Sequence, residues 1–339
     1  MTAGGVDRER APLVSVVIPA YNCALYVAEA VESALGQTFE PHEVIVVDDG
    51  STDGTRAALA AYETRIRYVH QANQGAAAAR NRGLLEARGD LIAFLDADDV
   101  WLPEKLEWQV RAMAALPDCG LVYTDGLAIG IRGAPSGTLV SRRARTWIDE
   151  HGTAWPHLAC GDLTPVLWFE NCICSSSSVM VRRRCLDETG GFDPALVIAE
   201  DYDVWIKIGL RHPIAMVDRD LFRYRWREGS LLGPASERDL RCREGALAVI
   251  ERHLAAAPGT LLPLIDRHMA RDYWYCARSQ FENDRFSEAR PMFRGSLRHD
   301  PWFLPPVAFL AASLLGRPIV HAARGAWSGV RNLWRRPAA

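Results

Sequence analysis

Leu91-Ile92-Ala93-Phe94-Leu95-Asp96-Ala97-Asp98-Asp99 carries five apolar residues and then three carboxylates in four positions. Five apolar residues without a polar break fit a strand covered on both faces, the habit of a parallel sheet. The acids at its end repel one another unless a counter-charge sits among them. A hard divalent cation takes carboxylate oxygens and keeps positions open for phosphate, so the cluster is a candidate cation site. A turn capping the next helix, opened by Pro103, accounts for Asp99 but scarcely for all three.

The same pattern recurs on both sides of this stretch. Val14 to Ile18 is a strand ending in Pro19-Ala20-Tyr21-Asn22, and Val44 to Val47 enters Asp48-Asp49-Gly50-Ser51. Ile66 to Val69 and Leu121 to Tyr123 are shorter strands. Helical stretches fill the intervals at 26–35, 55–62, 75–87 and 103–116. This alternation implies an α/β fold with a doubly wound parallel sheet, whose ligands bind beyond the carboxyl ends of the strands. The acids fall there. Residues 124–170 read as irregular, 175–226 as a second ordered stretch, and 237 onward as helical. Ala289, Phe293 and Pro301, behind Tyr273 and Ala277 with Ser296 between, fit one tetratricopeptide-like helix pair. One copy cannot form a solenoid, so a helical hairpin packed on the catalytic domain is expected.

Composition removes several classes. The chain has 339 residues, 49% of them hydrophobic, and a formal net charge of -3. That apolar content excludes disorder as the dominant state, and the charge gives no global field for nucleic acid. None of the eight cysteines forms a C-x-x-C pair, so no zinc framework is indicated. The first twelve residues are polar, and the longest apolar run, Trp302 to Gly316, falls short of a membrane span. A reduced, cytoplasmic location is expected. Of 39 basic residues only Lys105 and Lys207 are lysine.

Other residues at the strand ends carry chemistry of their own. Tyr21 has a ring that can stack on a base. Asp48-Asp49 ends an apolar strand with two acids, and one of them should face the crevice, where it can accept an imide hydrogen or hold a ribose. Arg80, after Asn73-Gln74-Gly75, either braces a diphosphate or lies on a solvated helix face. Glu200-Asp201 opens a helix with acids, which serves as well for capping as for a general base. Arg223, Arg225 and Arg227 alternate with Tyr224 and Trp226, as a diphosphate contact or a solvated edge.

Val14-Ser15-Val16-Val17-Ile18-Pro19-Ala20-Tyr21-Asn22, Val46-Val47-Asp48-Asp49-Gly50-Ser51-Thr52-Asp53-Gly54-Thr55, Asn73-Gln74-Gly75 with Ala79-Arg80-Asn81, and Phe94-Leu95-Asp96-Ala97-Asp98-Asp99 stand in one order and spacing. Together they resemble the family 2 glycosyltransferases of the GT-A fold. Gly190-Gly191-Phe192-Asp193 with Glu200-Asp201 resembles that family's acceptor-side half. The resemblance covers about Pro12 to Ser230 and implies a nucleotide-sugar half at 12–127 and an acceptor half at 128–235; the helical pattern beyond it gives an α-helical C-terminal extension at 236–339. It implies an inverting transfer of one sugar from a nucleotide-sugar, UDP- or dTDP-linked, to an acceptor hydroxyl.

Residue by residue, the resemblance puts Pro19, Ala20, Tyr21, Asn22, Asp49 and Arg80 on the nucleotide. Asp96, Ala97 and Asp98 form the D-x-D segment holding Mn2+ or Mg2+, with Asp98 the direct ligand and Asp96 beside it. Asp201 takes the role of catalytic base, while Glu200, Asp99 and Arg225 lie where acceptor or diphosphate passes. Tyr224-Arg225-Trp226 lacks the glutamine of the Q-x-x-R-W motif of processive members, since Phe222 stands there, so single transfer is expected. A sugar nucleotidyltransferase needs an early lysine that the chain does not have. A nicotinamide dehydrogenase needs a G-x-G-x-x-G after the first strand, also missing. A non-catalytic scaffold of the same fold is disfavoured by the intact acids. Trp302 to Ala339 combines arginines with aromatics and no acid, which suits either peripheral contact with an anionic membrane, near a lipid-linked acceptor, or a packed helix.

Overall fold

The computed structural model describes residues 12–40, 42–129, 135–138, 153–155, 158–160, 163–226 and 235–315. The chain divides into two compact units between Pro234 and Ala235. The first is built on one sheet of eleven strands. In chain order these are β1 (Val14–Ala20), β2 (His42–Asp49), β3 (Arg67–Gln71), β4 (Leu91–Phe94), β5 (Val100–Trp101), β6 (Leu121–Ile129), β7 (Pro135–Thr138), β8 (Thr153–Trp155), β9 (Leu158–Cys160), β10 (Val179–Arg182) and β11 (Ile214–Arg225). The spatial order runs β3-β2-β1-β4-β10-β6-β11-β9-β8, with β5 on β11 and β7 on β6.

The first four strands are parallel, as the apolar runs imply, and β1 is buried along most of its length. The parallel reading fails at the next neighbour. Leu121–Ile129 does not lie beside β4; β10 is inserted between them and runs antiparallel to both. β10 begins at Val179, 85 positions after β4 ends at Phe94, so nothing in the local pattern announces the pairing. The result is a mixed sheet whose centre joins the two halves of the unit.

Helices cover the parallel strands where small residues let them approach. In the helix Ala76–Glu86, a Cβ added at Gly83 would sit 2.2 Å from Val17 Cγ1 of β1. That contact requires glycine and fixes the helix against the strand. Arg80, one turn before Gly83 on the buried side, and Asn81 next to it reach from this helix to Asp96 and Glu200 and to Phe192.

The second unit contains the helices Ala235–His253, Leu262–Glu282, Phe286–His299 and Pro305–Leu315. Ala277, Phe281, Phe286, Ala289 and Phe293 form its core, with Trp274 and Phe309 against it. Ala277, Ala289 and Phe293 were the repeat-like positions, and Ser296 Oγ donates to the Ala270 carbonyl across the pair at 2.6 Å. Residues 316–339 of the basic tail lie outside the described residues, as do Arg227 and the larger part of 130–162.

Candidate active site

The carboxyl ends of β1, β2 and β4 lie side by side, and the loops leaving them are tied together by polar side chains. Asn22 adopts φ 49, its amide donates to Ser51 Oγ at 3.0 Å, and its Oδ1 accepts from Thr52 N–H at 2.9 Å. It links the first loop to the second. Tyr21 beside it is 46% exposed, leaving its ring available to a ligand. Pro19 is half-buried and Ala20 buried, so these two offer backbone rather than side chain to the crevice.

Asp48 and Asp49 are both buried. Asp48 accepts from Tyr68 Oη at 2.7 Å and from the Ser51 amide at 2.9 Å. Asp49 stands opposite Gln71 in the parallel register, and one of its oxygens accepts from Gln71 Nε2 and Gln74 N–H at 2.8 and 2.9 Å. The other accepts from Gly75 N–H at 2.8 Å. Asp49 therefore shapes the Asn73-Gln74-Gly75 loop from beneath.

Arg80 is 6% exposed and aims its guanidinium at two carboxylates. Nη1 donates to Glu200 at 2.6 Å and Nη2 to Asp96 at 2.9 Å, while Nε has no hydrogen-bond partner among the described residues. Burial alone disfavours the charged form, but the adjacent Asp96, Glu200 and Asp201 charges hold the guanidinium firmly protonated. The solvated-face alternative for Arg80 does not hold: the side chain is buried and spans from the end of β4 to the helix Glu200–Gly209. Asn81 makes a second crossing. Its Nδ2 donates to the Phe192 carbonyl at 2.7 Å and its Oδ1 accepts the Phe192 amide at 2.9 Å. Gly191 must be glycine here, with φ +73 and a Cβ position 2.6 Å from Asn81 Oδ1. Phe192 then packs edge-on against Phe94 and Trp205.

Asp96 and Asp98 are half-buried at the end of β4, and Ala97 and Asp99 are buried between and after them. Asp99 does not face the crevice. It accepts from Ser177 Oγ at 2.6 Å, Ser175 Oγ at 3.3 Å and Arg225 N–H at 2.9 Å. Burial, with the charges of Asp98 and Asp96, pushes its carboxyl well above the usual carboxylate range. Arg225 is likewise turned inward: Nε donates to the Asp98 carbonyl at 2.9 Å and Nη2 to Glu29 at 2.7 Å. Asp99 and Arg225 brace the D-x-D turn.

The brace has a part the sequence reading passed over. Ser177 Oγ donates to Asp99 and accepts the Asp96 amide at 3.0 Å, so one hydroxyl fixes both ends of Asp96-Ala97-Asp98-Asp99. The available signal was four consecutive serines, Ser175 to Ser178, directly before an apolar strand; all four are buried. Ser177→Ala takes the shortest hydrogen bond from the buried Asp99 carboxyl and the acceptor from the Asp96 amide, a loss on the order of 2 kcal/mol. Urea denaturation should show the lower midpoint, and a midpoint equal to wild type would disprove the brace.

The helix Glu200–Gly209 starts from Ala199 in the left-handed region (φ 63) and places three acids in its first turn. Their fates differ. Glu200 is buried against Arg80, and Asp203 is fully buried against Lys207 Nζ at 2.6 Å. Asp201 is half-buried and has no ion pair among the described residues. Its oxygens accept from the Tyr202 amide at 2.7 Å and, at the 3.5 Å limit, from Ser176 Oγ. Burial and the Glu200 charge raise its carboxyl to about 7, against the opposing pull of Arg80.

No three His, Cys, Asp or Glu side chains among the described residues converge on a point that would hold a metal ion. Asp96 and Asp98 still suit one kind of cation. Magnesium-like ions are held by one or two carboxylates and complete their shell with water and substrate phosphates. Two half-buried carboxylates at a strand end fit a cation that arrives with a diphosphate, not a cage made by protein alone.

A doubly wound sheet with acids and an exposed tyrosine at its carboxyl edge, joined through Arg80 to an acidic helix turn, defines the GT-A class of nucleotide-sugar folds. Residues 15–190 match the model of glycosyl transferase family 2, and the chain belongs to that family. It is 31% identical over 224 residues to an uncharacterized glycosyltransferase of Rickettsia felis, covering 63% of this chain and 34% of that protein. It is 33% identical over 214 residues to the chondroitin synthase of Escherichia coli, covering 62% and 28%. The chain thus spans about a third of these relatives' length. Over 128 residues it is 44% identical to the teichuronic acid biosynthesis glycosyltransferase TuaG of Bacillus subtilis, a protein described as putative, covering 37% and 50%. Among solved structures, S. aureus TarS 1–349 in complex with UDP-GlcNAc superposes with TM-score 0.65 at 18% identity over 92% of both chains. The mannosyltransferase PcManGT of Pyrobaculum calidifontis, with GDP-Man and Mn2+, gives TM-score 0.57 at 20% identity, covering 97% and 89%. At these identities the two structures are a likeness of fold.

Proposed function

We propose that the chain transfers a single sugar, with inversion, from a UDP- or dTDP-linked donor to an acceptor hydroxyl in the assembly of a cell-surface polysaccharide or glycolipid. Residues 12–127 take the donor and 128–235 the acceptor. One observation carries the chemistry: of the three acids opening the helix Glu200–Gly209, Asp201 alone makes no ion pair among the described residues. An acid with a carboxyl raised to about 7 is matched to proton transfer near neutral pH.

In this reading Asp201 takes the proton of the acceptor hydroxyl as its oxygen attacks the anomeric carbon from the side opposite the diphosphate. The bond from that carbon to the diphosphate oxygen breaks, and the nucleoside diphosphate leaves with the electron pair. Tyr21 stacks on the base, Asp49 sets the loop beside it, and Arg80 keeps Asp96 and Glu200 in register. Asp98, with Asp96 beside it, holds Mn2+ or Mg2+, which when bound neutralises the charge that builds on the leaving diphosphate. UDP-GlcNAc in TarS, Mn2+ with GDP-Man in PcManGT, and the polysaccharide products named for the relatives support the donor, metal and pathway class. The working location is the cytoplasm, at the inner face of the membrane.

A thermal-shift screen of nucleotide-sugars with and without Mn2+ or Mg2+ tests the donor and the cation together. Stabilisation by a uridine or thymidine diphosphate sugar, larger with metal, is expected; no response to any nucleotide-sugar would overturn the reading. The pH dependence tests the base. Turnover should rise with pH through about 7 and level off above it, because the base works only when deprotonated. Glu200→Gln removes a neighbouring negative charge and should move this limb to lower pH. Arg80→Met removes a positive one and should move it higher. Limbs that stay in place in both variants would show that Asp201 does not set the profile.

A further inference from the structure

The helix Pro305–Leu315, PPVAFLAASLL, contains no charged residue. Its inner side is occupied, with Phe309, Leu310 and Ala312 packed on the aromatic core of the second unit. Arg290 Nη2 also donates to the Ser313 carbonyl at 2.6 Å. Its outer side carries Val307, Ala308, Ala311 and Leu314, spaced i, i+1, i+4 and i+7, and all four are exposed. Leu314 is 62% exposed, and ahead of the helix Trp302 and Leu304 are 89% and 66% exposed. Single apolar residues scattered on a surface mean little, but a stripe along one helix face beside an exposed tryptophan marks contact with another apolar phase.

Charge indicates which phase. From Pro301 to Ala339 the sequence has no Asp or Glu, and it carries Arg317, Arg324, Arg331, Arg335 and Arg336 with Trp327 and Trp334. Residues 316–339 enter here by composition alone. A segment with one sign of charge, tryptophans and an adjoining apolar helix face matches an anionic bilayer. Phosphate headgroups take the guanidinium groups, and the acyl boundary takes Trp and Leu. Among the described residues no helix is long and apolar enough to cross a membrane, so contact through this face is peripheral.

We propose that the outer face of Pro305–Leu315, with the basic segment after it, docks on an anionic membrane surface. This deepens the transfer reading by giving its acceptor a lipid-linked source; it rests on that reading only for this consequence, because docking is measured without turnover.

The test is flotation of the full chain with vesicles of phosphatidylglycerol and phosphatidylcholine, beside vesicles of phosphatidylcholine alone. Binding to the anionic vesicles is expected, falling roughly tenfold as the Debye length shortens from about 10 Å toward 3 Å with added salt. Val307→Ser with Leu314→Ser should weaken binding about tenfold or more, with the circular dichroism spectrum unchanged. Should that variant unfold, Arg331→Gln, Arg335→Gln and Arg336→Gln together give a second reading, since each arginine near such a surface is worth about fivefold. No binding to anionic vesicles at low salt would overturn the proposal. So would equal binding to neutral vesicles. Light scattering that shows a dimer broken by the face variant, with vesicle binding intact, would assign the face to a second copy of the chain instead.

Discussion

Asp201→Asn should lower turnover by roughly a hundred- to ten-thousandfold, the range that a positioned general base contributes. The substitution keeps the size and the acceptor oxygen that meets the Tyr202 amide, so the helix start should persist. What is lost is the capacity to take a proton. Neither neighbour is placed to substitute for it, since Glu200 is held by Arg80 and Asp203 by Lys207. Nucleotide-sugar affinity should stay near wild type, because Tyr21, Asp49 and the D-x-D turn are untouched. Steady-state transfer with a thermal-shift titration of the donor separates the two quantities. Near-normal turnover in this variant would remove Asp201 from the reaction, whereas equal loss of turnover and donor binding would make it a binding residue.

Asp98→Ala should cost about a thousandfold in transfer, the several kcal/mol that a cation supplies to a departing diphosphate. The fold should survive, because the bracing contacts around the turn do not use the Asp98 carboxylate: Arg225 Nε meets its backbone carbonyl, and Ser177 meets Asp96 and Asp99. Chelation should reproduce the loss in the wild-type chain and add little in the variant. Full wild-type activity in excess chelator would refute the cation, and an active Asp98→Ala variant that still needs metal would move the ligand to Asp96. Asp99→Ala is the contrasting case. Its carboxyl is enclosed by Ser175, Ser177 and the Arg225 amide, so its removal should appear first in stability.

The parallel half of the sheet and its acids were readable in the sequence because both signals are local. Val14–Ala20 (apolar but for Ser15) and Leu91–Phe94 are almost wholly buried, as strands covered on both faces must be, and each leads into residues proposed to meet a ligand. The grouping of Asp96, Asp98, Arg80 and Glu200-Asp201 around one edge followed from their motifs. What could not be read was which side chain satisfies which. Arg80 looked equally like a diphosphate brace and a solvent-facing residue, because its carboxylate partners come from Asp96 and from a helix 120 residues away. Strand β10 enters between β4 and β6 by pairing that leaves no periodic trace in either neighbour. Ser177 was passed over for a similar reason: a serine run has the composition of a loop, and only the surrounding fold turns it into a buried donor. Lys105 shows the same limit. It falls within the helix expected at 103–116 and nothing local marks it as buried, yet it is fully buried with Nζ on Gln109 at 2.7 Å and over the Trp101 ring.

The contacts that hold the D-x-D turn also set a timetable. Asp96 waits for Ser177 across 81 positions, Arg80 for Glu200 across 120, and the Asp98 carbonyl for Arg225 across 127. Closing loops of that length has a chain-entropy cost that only the finished sheet repays. A chain emerging from the ribosome therefore carries every recognisable donor motif early, yet has no assembled site until Arg225 is out. On the proposed function, a product cut short before that point would hold the sequence signature of a glycosyltransferase without the contacts that shape its site, and so would be an idle fragment.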